Sequence, residues 1–470
     1  MVPRFGTDGI RGVAGTDLTP ELALALGRAA ARLVPGSPFL LGRDTRQSGT
    51  MLQAALAAGI AAEGVDALDV GVIPTPGLAW LAVDRGVPAA MVSASHNPCG
   101  DNGIKLLGAS GTKLPAALEI SIQDELDRLC SPAAIHVPAG LPGVDETGAP
   151  SGRGPGGAGL GVLSTDAEAL ERYAEHLVQA VAGGARPGFE VVVDCANGAA
   201  STVAPAVLER LGVPHRVLSA SPDGRNINAG CGSTHLQPLQ EAVVKSGAAL
   251  GVALDGDADR VLAVDHCGEV VDGDQLLAVF ALDLAERGLL TGGSIVVTVM
   301  SNLGLRQALA ARGIGVVETP LGDRHVSDAL EANNLQLGGE QSGHLVFRQH
   351  GMTGDGILTS LLLMELVARS GRTLAQLAAD AMTRLPQVLR NVPVRDPARL
   401  ALARGVWEEV SLAESELGDK GRVLLRASGT EAVVRVMVEA PTHERALEVA
   451  DRLVSAVVSE LEATGGAGRP

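Results

Sequence analysis

Aromatic residues are nearly missing from this chain: two Trp, one Tyr and five Phe among 470 residues. Its cores must therefore be built from Ala, Val and Leu, and it lacks the rings on which nucleobases stack. Positive charge is also in short supply, with 37 Lys and Arg against 54 Asp and Glu and a net charge of -17. Such a surface repels DNA, RNA and anionic membranes, so an anionic ligand must be held by a local cluster of donors. A small phosphorylated molecule remains compatible with that charge. No apolar run of about 18 residues is present to span a bilayer, and the opening MVPRFGTDGIRG lacks the apolar core of a signal peptide. A cytoplasmic protein with no nucleic-acid or membrane partner is expected. The five cysteines, Cys99, Cys130, Cys195, Cys231 and Cys267, are odd in number and form no C-x-x-C pair. That disfavours a disulfide framework or a zinc knuckle and predicts reduced thiols.

What the chain has in abundance is alternation. Helical patterns such as ELALALGRAAARLV and MLQAALAAGIAAEG are followed by short apolar runs, FLLGRD and ALDVGVIP, with AAMVSASH after a further helix. This is α/β wrapping, which places function at strand ends. At roughly 100 to 200 residues per domain the length predicts about three or four domains. New units open at FEVVVDCANG and SIVVTVMSN, and RVLLRASGT with AVVRVMVEA precedes a final helix. The expected fold class is α/β: three similar α/β domains plus a smaller C-terminal α+β domain around a central cleft. The boundaries expected are 1–160, 161–262, 263–380 and 381–470. The three units share no repeat visible by eye. Residues 141–161, LPGVDETGAPSGRGPGGAGLG, have too little apolar content for a core and read as a loop or linker. Within them Gly154, Gly156 and Gly159 match G-x-G-x-x-G, but no strand precedes and no helix follows, so a dinucleotide fingerprint is rejected.

Four short segments carry chemistry. In LDGDADR, Asp255, Asp257 and Asp259 alternate after a buried run, and in an extended segment they would share one side. Carboxylates so close need a hard cation such as Mg²⁺; an EF-hand is excluded because its Gly and Glu positions hold Arg260 and His266. The plain alternative is a solvated acidic turn. In SASHNP, Ser95 follows a buried strand, where the amides of the next turn can hold an anion. Ser93 and Asn97 replace the glycines of G-x-S-x-G, which disfavours acyl transfer. An extended strand end would turn His96 away from Ser95, and the plain alternative is a Ser/Asn/Pro turn. Arg426, Ser428, Gly429 and Thr430 in RASGT offer guanidinium, hydroxyl and amide donors to a phosphate dianion, as against a surface β-turn. Glu340, Ser342 and His344 in GGEQSGH offer the polar groups that sugar hydroxyls need, as against an ordinary polar loop.

The ordered set FGTDGIRG, SASHNP, DGDADR, GEQSGH and RASGTE, with NINAGCGSTH, LGDRHV and TGDG between them, resembles the α-D-phosphohexomutase superfamily, most closely its bacterial branch acting on glucosamine phosphates. The resemblance runs from Phe5 to about Glu439. It implies an isomerase, an intramolecular phosphotransferase with a phosphoserine at Ser95 and one Mg²⁺ held by phosphorylated Ser95, Asp255, Asp257 and Asp259. It places the general base on Lys105 and supporting catalytic roles on Arg11 and His344. Substrate contacts fall on Arg260, Glu340 and Ser342, and the phosphate clamp on Arg426, Ser428, Gly429 and Thr430. The reaction implied interconverts glucosamine 6-phosphate and glucosamine 1-phosphate through a sugar 1,6-bisphosphate, for UDP-N-acetylglucosamine synthesis and cell-wall precursors. The expected partner is a small hexosamine phosphate, and a homodimer is allowed. Arg11, Arg260 and the metal are expected to lower the pKa of Lys105. A glucose or mannose phosphate mutase is the alternative within the class, a non-catalytic sugar-phosphate sensor the alternative outside it. Ala427 and Ala432 replace prolines usual in the clamp, and Pro320 and Leu321 replace smaller or polar residues, which leaves fine substrate contacts there open.

Overall fold

The computed structural model describes residues 4–6, 9–131, 159–428 and 432–463. Gly154, Gly156 and most of the Gly/Pro-rich stretch lie outside the described residues, as do Gly429 and Thr430. Two compact units are formed: one reaches Met300 and resumes over Ile314–Ala379, the other combines Ser301–Gly313 with the chain from Asp380 onward.

The scarcity of rings shapes the packing of the first unit. Helix Pro20–Leu33 starts on an N-cap, where Thr19 Oγ1 accepts the Leu22 amide, with Pro20 at its first position. Its buried stripe is Leu22, Ala23, Leu26, Ala29 and Ala30. It lies directly on helix Gln47–Ala62 because both are glycine at the crossing. A Cβ on Gly27 would stand 2.2 Å from Leu56 O, and one on Gly59 2.1 Å from Leu24 O. Backbone contact replaces the bulky side chains that this composition does not supply.

The first sheet contains β1 (Ile10–Val13), β2 (Phe39–Arg43), β3 (Ala67–Val72), β4 (Ala89–Val92), β5 (Asp101–Leu107) and β6 (Leu163–Thr165), in the order β1-β5-β4-β2-β3-β6. The second contains β7 (Val191–Asp194), β8 (His215–Leu218), β9 (Leu250–Leu254), β10 (Val261–Asp265) and β11 (Val270–Val271), in the order β11-β10-β9-β7-β8. The third contains β12 (Ser294–Thr298), β13 (Gly315–Thr319), β14 (Leu337–Gly339) and β15 (Leu345–Phe347), in the order β13-β12-β14-β15.

These orders contain one repeated pattern. In each sheet the first strand of the pattern is flanked by two parallel neighbours, the second and third, and an antiparallel fourth strand returns beside the third. The fourth strands are β5, β10 and β15. The turns that feed them are SASHNP, DGDADR and GEQSGH, so three unlike motifs occupy one topological position at the carboxyl ends of parallel strands. The repeat is invisible in sequence because topology depends on the apolar period of the strands and not on the identity of the turn residues. The second sheet includes all of β10 and β11, so the expected boundary at 262 falls inside a strand.

In the second unit β16 (Gln387–Pro393), β17 (Arg422–Ala427) and β18 (Val433–Glu439) form an antiparallel sheet, β16-β18-β17. Helices Arg404–Leu417 and His443–Ala463 share a core with it through Val406, Val434, Val436 and Leu453. Helix Leu303–Ala311, which lies between β12 and β13 in the chain, belongs to this unit. Glu439 Oε2 accepts the Leu303 amide at 2.9 Å, and Asn302 Nδ2 donates to Leu385 O at 3.0 Å.

Candidate active site

Ser95 sits in the turn between β4 and β5, and its backbone is not the extended strand end that its position after AAMVSA suggests. Its φ is +50°, a left-handed conformation rare outside glycine. Two side chains hold the loop there. Arg46, buried, uses all five of its N–H donors. Its Nε meets Asp44 Oδ2 at 2.9 Å, Nη2 meets Ser95 O at 2.9 Å and Asn97 O at 2.8 Å, and Nη1 meets Asp101 O at 2.9 Å and Pro98 O. Asn228 Nδ2, from the segment before β9, donates to the same Ser95 and Asn97 carbonyls at 2.9 and 3.1 Å.

Against this loop lies the turn Asp255–Arg260. It too is not extended: the chain reverses through Ala258, at φ +57°. The turn, rather than strand alternation, brings one oxygen from each of Asp255, Asp257 and Asp259 within 4.8 Å of the others. A Cβ on Gly256 would stand 2.6 Å from Ser95 O and 2.9 Å from Asn228 Nδ2, so the two loops meet backbone to backbone. Ser95 Oγ, 1% exposed as a residue, donates to Asp255 Oδ2 at 2.5 Å.

Two like charges about 4 Å apart cost on the order of 4 kcal/mol at an effective dielectric of about 20. The three carboxylates therefore respond. Burial, then Asp259 and Asp257, push Asp255 well above the usual carboxylate range. Asp259 is equally buried, yet Lys105, His344 and Arg260 outweigh burial and hold it low. Lys105 Nζ donates to Asp257 Oδ2 at 2.9 Å and lies 3.7 Å from Asp259 Oδ2. Thr75 Oγ1 also donates to Asp257 Oδ2, at 2.7 Å. Carboxylates therefore stand beside Lys105, which β5 carries to the acidic turn.

The residues fit a magnesium ion. Asp257 Oδ1 and Asp259 Oδ1 are buried and have no hydrogen-bond partner, a costly state for anionic oxygens unless a cation meets them. An all-oxygen set suits a hard divalent ion. Lys105 and Arg260 answer only part of the carboxylate charge, and a phosphate on Ser95 would add nearly two further negative charges.

Arg260 Nη1 lies 3.3 Å from His96 Nδ1, which is itself 3.3 Å from Ser95 Oγ. His96 therefore faces the serine, because the left-handed turn swings it inward. Burial, Arg260 and Arg11 depress its pKa to about 4, so the imidazole is neutral at neutral pH. Arg11 stands on β1 opposite Gly103 of β5. His344 is buried behind Asp259: Nε2 accepts the Gly354 amide at 3.0 Å, and Nδ1 lies 3.8 Å from Asp259 Oδ2. Glu340 Oε1 accepts the Gly322 amide at 3.1 Å, tying the GEQSGH turn to LGDRHV. Ser342 Oγ is a buried hydroxyl with no partner.

In the second unit, Arg426 and Ser428 lie at the end of β17. Arg426 is in register with Arg435 of β18, and burial together with Arg435 lowers its pKa. Like charges opposite each other on neighbouring strands are unfavourable, which concentrates positive charge at this end of the sheet.

Arg46, Thr75, Asn228 and Arg435 escaped the sequence reading, and His96, expected to turn away from Ser95, faces it. Arg46 stands in GRDTRQSG directly after a strand run, and Asn228 inside NINAGCGSTH. No local pattern says that either reaches Ser95.

Four family models of phosphoglucomutase/phosphomannomutase match in order: alpha/beta/alpha domain I over residues 3–131, domain II over 171–268, domain III over 272–385 and the C-terminal domain over 389–456. A phosphoglucosamine mutase of Salinispora arenicola is 50% identical over 460 residues, covering 96% of this chain and 98% of its own. One from Moorella thermoacetica is 49% identical over 445 residues, covering 94% and 96%. Among solved structures, a phosphoglucomutase/phosphomannomutase family protein of Burkholderia thailandensis has a TM-score of 0.78 at 24% identity, covering 100% of this chain and 99% of its own. An Aspergillus fumigatus N-acetylphosphoglucosamine mutase, solved with GlcNAc-6P and magnesium, has a TM-score of 0.69 at 19% identity, covering 98% and 96%.

Proposed function

Because this chain belongs to the phosphoglucomutase/phosphomannomutase family, we propose that it interconverts glucosamine 6-phosphate and glucosamine 1-phosphate, with Ser95 as the phosphate carrier. The observation that carries this reading is the buried Ser95 hydroxyl, 2.5 Å from one carboxylate of a triad whose other members have unmet oxygens. The full-length likeness to phosphoglucosamine mutases supports the amino sugar.

In this reading the phosphoryl group on Ser95 passes to the free hydroxyl of the sugar monophosphate. The Oγ–P bond breaks and a sugar O–P bond forms; the hydroxyl proton is taken up by the neutral amine of Lys105 and in the net reaction ends on the departing Ser95 Oγ. The 1,6-bisphosphate turns end for end, and its other phosphoryl group returns to Ser95. Lys105 is held on the rigid strand β5 with Asp257 and Asp259 to orient it, and it can take the proton only as the neutral amine, a form that a cation held by those carboxylates would favour. Arg11 and Arg260 stabilise charge on the transferring group. Glu340 and Ser342 contact sugar hydroxyls, and Arg426, Ser428, Gly429 and Thr430 clamp the non-reacting phosphate. Bound magnesium would supply Lewis-acid stabilisation of the phosphoryl oxygens, held by Asp255, Asp257 and Asp259. The reading includes a cytosolic site of action; among the described residues no helix is long and apolar enough to cross a membrane.

The test is kcat/KM for the 6-phosphates of glucosamine, glucose and mannose, with catalytic enzyme and a bisphosphate primer. Preference for glucosamine supports the proposal. Preference for glucose or mannose replaces the substrate, and binding without turnover makes the chain a sensor. Phosphopeptide mapping of the intact protein should find phosphate on Ser95.

A further inference from the structure

The TGDG segment has no part in the chemistry above, yet it touches the metal loop directly. The Gly356 amide donates to Ala258 O at 2.9 Å, and Ala258 is the left-handed residue on which the acidic turn reverses. A Cβ on Gly354 would stand 2.6 Å from Asp259 O, and the Gly354 amide sets His344 through its Nε2. An imidazole that accepts at Nε2 carries its proton on Nδ1, the nitrogen facing Asp259. The position of Asp259 therefore depends on where the TGDG turn sits.

Asp355 anchors that turn. Its Oδ1 accepts the Leu358 amide at 2.9 Å as the cap of helix Gly356–Ser370, and its Oδ2 accepts the hydroxyl of Tyr173 at 2.8 Å. Tyr173 is the sole tyrosine of the chain, fully buried on helix Ala169–Ala180. Burial and the Asp355 charge keep its phenol protonated, so it remains a donor. Its ring also packs on helix Thr75–Arg85 at a glycine: a Cβ on Gly77 would stand 2.8 Å from the ring. Two residues earlier is Thr75, which binds Asp257 through both its hydroxyl and its amide.

We infer that Tyr173 is a positioning residue for the metal loop, joining the support of Asp257, through Gly77 and Thr75, to the support of Asp259, through Asp355, Gly354 and His344. It touches neither substrate nor metal; it fixes the spacing of two of the three carboxylates. The kinetic part of this inference rests on the mutase reading, whereas the metal-binding part holds whatever the reaction is.

The experiment is Tyr173→Phe, which removes one oxygen and keeps the ring, in the full-length protein. Mn²⁺ binding followed by electron paramagnetic resonance should weaken about three- to tenfold. Mutase kcat should fall about tenfold with KM within about twofold, at a temperature well below the melting transition. A lowered Tm with Mn²⁺ affinity and kcat both unchanged would overturn the inference, because a merely structural tyrosine predicts that result. A changed Mn²⁺ affinity in a protein with no mutase turnover would keep the positioning role and reject the mutase reading. If Tyr173→Phe does not fold, Asp355→Asn and Asp355→Ala carry the test. The amide can still cap Leu358 and donate back to the tyrosine oxygen, so Mn²⁺ affinity in Asp355→Asn should stay within about twofold of the parent. Asp355→Ala should weaken it about three- to tenfold, and equal affinity in both variants overturns the inference.

Discussion

Ser95 Oγ and Asp255 Oδ2 stand 2.5 Å apart although 160 residues separate them in the chain. The hydroxyl points at a carboxylate whose pKa burial and two neighbouring aspartates have raised. A serine placed this way sits where its phosphate would share a cation with the triad.

In the proposed mechanism, replacing Ser95 by alanine removes the oxygen that carries the phosphoryl group. His96 is close, but its neutral ring is already engaged by Arg260. Mutase turnover followed by phosphorus NMR should drop at least about a thousandfold, the scale of losing a covalent catalyst. Sugar-phosphate binding by calorimetry should persist through Arg426 and Ser428. Near-normal turnover would refute the phosphoserine.

Asp257→Asn should cut turnover at least about a hundredfold, as expected for loss of an electrostatic contact in the transition state. Acidic repulsion alone predicts that the metal-free variant melts no lower than the parent. The structure reverses that sign, because Asp257 is the 2.9 Å partner of buried Lys105 and also accepts from Thr75. Breaking a buried ion pair costs about 3–5 kcal/mol, less here because Asp259 remains nearby. Differential scanning calorimetry in chelator should therefore show a lower Tm; an unchanged or higher Tm would mean repulsion dominates.

At Gly256 the methyl of alanine would collide with Ser95 O and Asn228 Nδ2. Backbone oxygen cannot move aside as a side chain can, so the two loops must separate. Gly256→Ala should fold, with a Tm drop of a few degrees, yet lose about a hundredfold in kcat through misplacement of Ser95. Retention of full kcat would show that the close approach is incidental.

Asp355 should leave a mark on stability against pH. Burial raises its carboxyl from the ordinary 3.8 to about 6, against the opposing bonds from Leu358 and Tyr173. The folded chain then binds the proton more tightly than the unfolded one. Its contribution is complete below about pH 4 and is lost as pH rises through 6. At about 1.4 kcal/mol per unit, two units correspond to about 3 kcal/mol. Between pH 4 and 6, Tm should fall more steeply with pH in the parent than in Asp355→Asn. Parallel curves would place the carboxyl near its ordinary range.

Read alone, the sequence determined the α/β class, the motif order and the residues that carry charge and hydroxyls, because these depend on local period and residue type. It also determined that Gly256 lies in the acidic turn, though not what it must avoid. Tertiary structure decided the rest. The left-handed turns at Ser95 and Ala258, the inward swing of His96 and the reversal at DGDADR are held by distant partners, Arg46 and Asn228 at the first loop and Gly356 at the second, and no local spacing encodes them. The repeated strand order became visible only when β4, β9 and β14 took the same place in their sheets. Lys105 met Asp257, and Tyr173 met Asp355, for the same physical reason: packing fixes which distant side chains share a buried volume, and there charges and hydrogen bonds must be matched.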